Sequence, residues 1–146
     1  MQKKLFGSIV FLSLCAVVAT AQGDKGGLKV AGTWNVTGVI DGGKKVPDEI
    51  FTKVKIAITF KDGKYSASTD GKEEEAGTYT INAKTKPAQI DLLPTTGKDK
   101  GKAQLGLIKI DGEVMTFAAT KNGDKDRPKN FEGGDNITVI VLKRGK

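Results

Sequence analysis

From Val30 to Ile40 apolar and polar residues alternate, so that Val30, Gly32, Trp34, Val36, Gly38 and Ile40 share one face and Ala31, Thr33, Asn35, Thr37 and Val39 the other. A period of two predicts a strand with the indole of Trp34 turned inward. The run ends at Asp41-Gly42-Gly43, residues that accept the positive φ a turn requires. Pro47-Asp48-Glu49-Ile50-Phe51 places proline at a helix start with acids behind it, which predicts one short helix or 3₁₀ turn that lids one end of a barrel. Lys53 to Lys61 alternates most cleanly, with Val54, Ile56, Ile58 and Phe60 inward and Lys53, Lys55, Thr59 and Lys61 outward.

Asp62-Gly63 then turns the chain into a strand from Lys64 to Thr69 carrying Tyr65 and Ala67. Asp70-Gly71 leads to Glu75–Asn82, with Gly77, Tyr79 and Ile81 on one side, and Lys86-Pro87 precedes Ala88–Leu93, with Ile90 and Leu92. Lys102 to Ile110 is apolar on both parities, through Leu105 and Leu107 and then Ile108 and Ile110, and Gly106 between them predicts a bulge that switches the inward set. Asp111-Gly112 opens the strand Glu113–Thr120, and Asn136–Lys143 closes the chain. The longer connections, Pro94–Gly101 and Asn122–Gly134, read as polar loops, the first of them mobile. Eight strands joined mostly by glycine turns, with no helical periodicity, predict an all-β fold: a single eight-stranded antiparallel up-and-down barrel, closed because closure removes exposed edges.

The first residues belong to a different pattern. Met1 to Ala21 has a basic start at Lys3 and Lys4, an apolar run from Leu5 to Val18, and the small-x-small end Ala19-Thr20-Ala21, which predicts a secretory signal peptide cleaved near Ala21. Residues 22–29 then form a flexible leader and 30–146 the domain, exported to the periplasm or secreted, with no membrane span after cleavage. Cleavage removes Cys15, the single cysteine, so disulfides and thiolate metal sites are excluded.

Composition narrows the chemistry further. Lys and Arg number 24 against 17 Asp and Glu, a net charge of +7, with no histidine. The lysines alternate with acids and few aromatics lie beside them, so the excess reads as a solvated basic surface with some affinity for anionic polymers and no specific nucleic-acid site. Without histidine there is no Ser-His-Asp or Cys-His nucleophile and no usual zinc or copper ligation. The carboxylate groups Asp48-Glu49, Glu73-Glu74-Glu75 and Asp124-x-Asp126 fall in turn or loop contexts and read as surface, the EF-hand spacing is missing, and neither a catalytic residue, a metal site nor a cofactor is expected.

The inward list assembled by alternation carries no charge. Trp34, Val36, Ile56, Ile58, Phe60, Tyr65, Tyr79, Ile81 and Ile108 are its candidate ligand-binding members, able either to receive a small hydrophobic molecule or to fill the barrel as a packed core. Arginine occurs only at Arg127 and Arg144. Its planar fork does what an ammonium cannot, so Arg144, or Lys143 in the other strand phase, is expected against Trp34, and Arg127 is expected to pin its loop or to read an anionic ligand.

Gly32-x-Trp34 on the first strand, with Lys143-Arg144 ending the last, resembles the lipocalin and calycin group, in which a tryptophan plugs the closed end and an arginine from the final strand packs across it. Gly32, Trp34, Lys143 and Arg144 would then form the barrel closure. A wider set is similar to an uncharacterised lipocalin-like domain family typical of planctomycete bacteria: Ala31-Gly32-Thr33-Trp34, Pro47-Asp48-Glu49, Ala76-Gly77-Thr78-Tyr79, Lys86 to Leu92, Lys100-Gly101-Lys102, Asp126-Arg127-Pro128 and Leu142-Lys143-Arg144. Two departures stand out. That family often has an aromatic where this chain has Gly106-Leu107-Ile108, and a cysteine in the seventh strand where this chain has none. The resemblance implies a lipocalin-like fold, with Asp126, Arg127 and Pro128 as a loop anchor, and no assigned activity. The expected function is an exported, non-enzymatic domain that binds a small apolar ligand in the barrel, or else an envelope interaction domain with a filled core and contact loops.

Overall fold

A computed structural model describes residues 28–145. The signal peptide and most of the leader expected at the start of the chain lie outside the described residues. Strands β1 (Gly32–Asp41), β2 (Lys44–Lys45), β3 (Ile56–Lys61), β4 (Lys64–Thr69), β5 (Lys72–Asn82), β6 (Ala88–Pro94), β7 (Gln104–Asp111), β8 (Val114–Thr120) and β9 (Ile137–Arg144) follow in order, with one helix, α1 (Glu49–Lys53), after β2. From β3 to β9 each strand pairs antiparallel with the next, and β1 pairs with both β3 and β9, closing an eight-stranded barrel to which β2 adds only two residues at the edge of β1. Short hairpins force this up-and-down order, because a two-residue turn can only return a strand beside its predecessor.

The ends of the barrel are unlike. At one end lie the start of β1, the end of β9 and the hairpins after β3 and β7; α1, the β4–β5 hairpin and the long connections crowd the other. Inside, Trp34, Val36, Phe60, Tyr65, Tyr79, Ile90, Leu92, Ile108, Met115, Phe117, Ala119 and Leu142 pack with Val30 into one core. Gly77 faces Pro94 across β5 and β6 at such close approach that a Cβ there would stand 2.2 Å from the Leu93 carbonyl oxygen.

Several strand details differ from the alternation. In β1 the pairing with β9 shifts register between Val36 and Gly38, a bulge at Thr37 that turns Val39 inward beside Ile140 and Ile40 outward beside Val139. In β7 the pairing runs unbroken from Gly106↔Ala119 to Asp111↔Val114, so Gly106 makes no bulge: Ile108 and Ile110 face in, Leu105 and Leu107 face out. The even parity holds because Gly106 itself faces in, where Phe117 Cε2 lies 3.0 Å from the position of a Cβ. Val54 is the C-cap of α1 rather than a strand residue, since the helix takes the chain up to Lys53.

Leu107, Ala118 and Val139 point outward by register and are nonetheless buried. Residues 121–136 lie across them as a strap. Gly133 sits against Ile40 and Val139, Lys109 Nζ lies 4.7 Å from the Phe131 ring centroid, and Arg127 reaches β6 and β7. The connection after β6 is tied down too, with Thr95 and Thr96 N–H donating to the Ala76 carbonyl and Gly101 N–H to that of Pro94.

Candidate functional site

The base of the barrel is built around Trp34, which is fully buried. Its indole N–H donates to the Val30 carbonyl at 2.8 Å, so the chain entering β1 folds back beneath the ring. Arg144, paired with Trp34 in the β1–β9 ladder, lays its guanidinium 4.2 Å from the ring centroid. The remaining fork is spent on backbone: Nη1 donates to Ala31 O at 3.1 Å and Nη2 to Lys29 O at 2.9 Å. Nε faces Glu113 at 3.4 Å. Gly32, at φ +119°, gives the guanidinium room, since a Cβ there would stand 3.3 Å from Nη1. Lys143 sits opposite Asn35 and is exposed, taking no part in this stack. A cleft of about 620 Å³ beside the stack is lined by Leu28, Ile110, Glu113 and Arg144 among others.

The other end differs. Ile58 lies opposite both Trp34 and Ala67, which fixes it, and Ile56 two residues before it, on the inner face. Ile140, opposite Val39 and Phe117, is inward for the same reason. Val39, Ile56, Ile58 and Ile140 pack on the buried core yet keep part of their surface accessible, and Phe51 of α1 packs there as well. Above a filled base the barrel therefore has an apolar, solvent-accessible mouth.

Of the nine residues expected in the interior, Trp34, Val36, Phe60, Tyr65, Tyr79 and Ile108 belong to the buried core, while Ile56, Ile58 and Ile81 are partly buried against it. Phe60 meets Tyr79 edge-on at 5.0 Å and Tyr65 at 6.5 Å between centroids.

The interior is not free of charge. A register shift between Ala67 and Ser68 leaves Glu74 as the extra residue of β5 and sets Glu75 opposite Ala67, on the inner face with Gly77 and Tyr79. Tyr65 donates its hydroxyl proton to Glu75 Oε1 at 2.8 Å. Burial foremost, then this bond and the negative charges of Glu75 and Asp99, push the phenol well above the ordinary tyrosine range. At the rim Thr138 Oγ1 donates to Asp41 Oδ1 at 2.9 Å. Parity with Tyr79 was the available signal for Glu75; its place in a run of three glutamates hid it. Val39 carried no such signal, because the bulge at Thr37 leaves no trace in composition, and Ile140, which shares parity with Leu142 and Arg144, was masked by apolar residues on both parities of β9.

Arg127, part of the Asp126-Arg127-Pro128 segment, is held on the outer wall. Nη1 lies 2.7 Å from Asp91 Oδ1 and donates to the carbonyls of Gly106 at 2.9 Å and Ile90 at 3.4 Å. Pro128 beside it is buried, and Asp126 N–H donates to Asp124 Oδ1 at 3.0 Å. Asp124 also accepts from Asn136 Nδ2. No protein-family model matches the chain, and the comparison with curated proteins finds no match either. Among the described residues no three Asp, Glu, Cys or His side chains come together as a metal site, and no helix is long and apolar enough to cross a membrane.

Proposed function

We propose that this protein is an exported, non-enzymatic lipocalin-like domain, of the planctomycete type its motifs resemble, and that it holds a small apolar ligand in the mouth of its barrel. The observation that carries the reading is the pairing of a filled base with an accessible apolar mouth: Val39, Ile56, Ile58 and Ile140 point inward by register and remain partly uncovered. Uncovered aliphatic surface in a concave site is what an apolar guest takes out of water, at about 25 cal/mol per Å². Export is supported by the basic, apolar and small-residue order of residues 1–21. The absence of histidine from the chain supports a role without histidine-based acid–base or triad catalysis.

Titration with retinol, a neutral apolar fluorophore, tests this reading. Saturable binding of one retinol per chain is expected, with binding lost in Ala67→Phe, which places a ring opposite Ile58, while far-ultraviolet circular dichroism stays that of the parent. Failure of the parent to bind retinol saturably overturns the reading. A second reading is favoured by the way the loops 94–101 and 122–134 are tied down: the barrel is scaffold only, and these loops offer preformed contact surface to an envelope protein. That reading remains if retinol does not bind.

A further inference from the structure

A carboxylate on the inner wall bears on the chemistry of the ligand, an inference that rests on the ligand reading above. Glu75 stands on the inner face opposite Ala67, which pairs in turn with Ile58. Its Oε1 takes the Tyr65 hydroxyl proton, and Asp99 lies near enough to Tyr65 to act on its charge. Lys and Arg number 24 in the chain, yet among the described residues this half-buried carboxylate has no ion-pair partner. The ion pairs among the described residues join Lys45 to Asp48, Arg127 to Asp91 and Arg144 to Glu113, none of them in the mouth.

We infer that the mouth takes a cationic amphiphile, an alkyl chain ending in a primary ammonium, whose tail lies on Val39, Ile56, Ile58 and Ile140 and whose head pairs with Glu75. A fatty-acid carboxylate at the same depth would face Glu75 and lose free energy to like-charge repulsion in a poorly solvated wall. The lysines around this end do not reverse the preference. Lys44, Lys53, Lys72 and Lys98 are exposed, and charges in open solvent are screened beyond about 8 Å at physiological salt, whereas a contact inside the mouth is not.

Displacement of bound retinol from the purified protein by dodecylamine, dodecanol and dodecanoate, each below its micellar concentration, decides the matter. Dodecylamine is expected to displace at a concentration about tenfold or more below that of dodecanoate, the ratio a charge-assisted hydrogen bond supplies. Glu75→Gln is expected to bring the two concentrations together, each read against that variant's own retinol affinity. Equal displacement by amine and acid in the parent, or an unchanged ratio in Glu75→Gln, overturns the inference while retinol binding leaves the ligand reading standing. Absence of retinol binding removes both.

Discussion

Arg144 shows how one side chain joins the last strand of the barrel to the segment that enters the first. Its guanidinium covers the Trp34 ring while two of its nitrogens donate to carbonyls at residues 29 and 31. Only a planar fork meets both demands together. The exposed partner Glu113 adds little, since surface ion pairs are worth about 0–1 kcal/mol. Arg144→Lys, which keeps the charge, is expected to destabilise the fold by about 1–2 kcal/mol through loss of the stacked plane and the divided hydrogen bonds. A urea-unfolding midpoint equal to that of the parent, followed by Trp34 fluorescence, would show that charge alone matters there. The lipocalin resemblance and the scarcity of arginine pointed to Arg144, or Lys143 in the other strand phase, against Trp34, and the register decides for Arg144; that it also holds residues 29 and 31 was not legible, because carbonyl acceptors have no sequence signature.

At the scale of elements, alternation located the eight barrel strands and went wrong where a strand departs from strict pairing. A bulge inserts one residue at no cost in composition, so Thr37 and Glu74 look like any other strand position, and each inverts the facing of the residues beyond it. Gly106 invited the opposite error. Hydrophobic residues on both parities of β7 suggested a switch of face, whereas the strand runs straight and is covered on both sides, by the core within and by the strap outside. The docking of the strap rests on Arg127 in the groove between β6 and β7. Arg127→Ala is expected to cost about 1–3 kcal/mol by removing the partner of Asp91 and two carbonyl contacts. It should also make Lys121, Lys125 and Lys129 much more susceptible to trypsin. Cleavage there no faster than in the parent would mean the strap is held by something other than Arg127.

For the molecule as a whole, the interior phenol links global stability to alkaline pH. Tyr65 is held protonated in the fold well above its value in an unfolded chain. A group whose folded pKa is raised contributes its full share below the unfolded pKa of about 10 and loses it as pH climbs from there toward the folded value. Above pH 10 the parent should therefore lose stability relative to Tyr65→Phe by up to about 1.4 kcal/mol per pH unit, although the variant starts lower through loss of the bond to Glu75. Denaturant midpoints of the two proteins from pH 8 to 11.5 measure the difference; parallel curves would place Tyr65 in contact with solvent. The polarity of the barrel, a plugged base below an accessible mouth, was only half legible. Trp34 and Arg144 announced the base, but the mouth depends on the helix and connections that surround it, and nothing periodic encodes how far those stand from the strands.

The strap has one further effect. Because Leu107, Ala118 and Val139 are sealed beneath residues 121–136, the wall of the cylinder has a hydrophobic layer on each side, and three positions that strand parity assigns to solvent behave as interior ones. A lifted strap would strip one of those layers bare and turn a quiet flank of the protein into an adhesive one, so the segment that looks most expendable is what keeps neighbouring molecules apart.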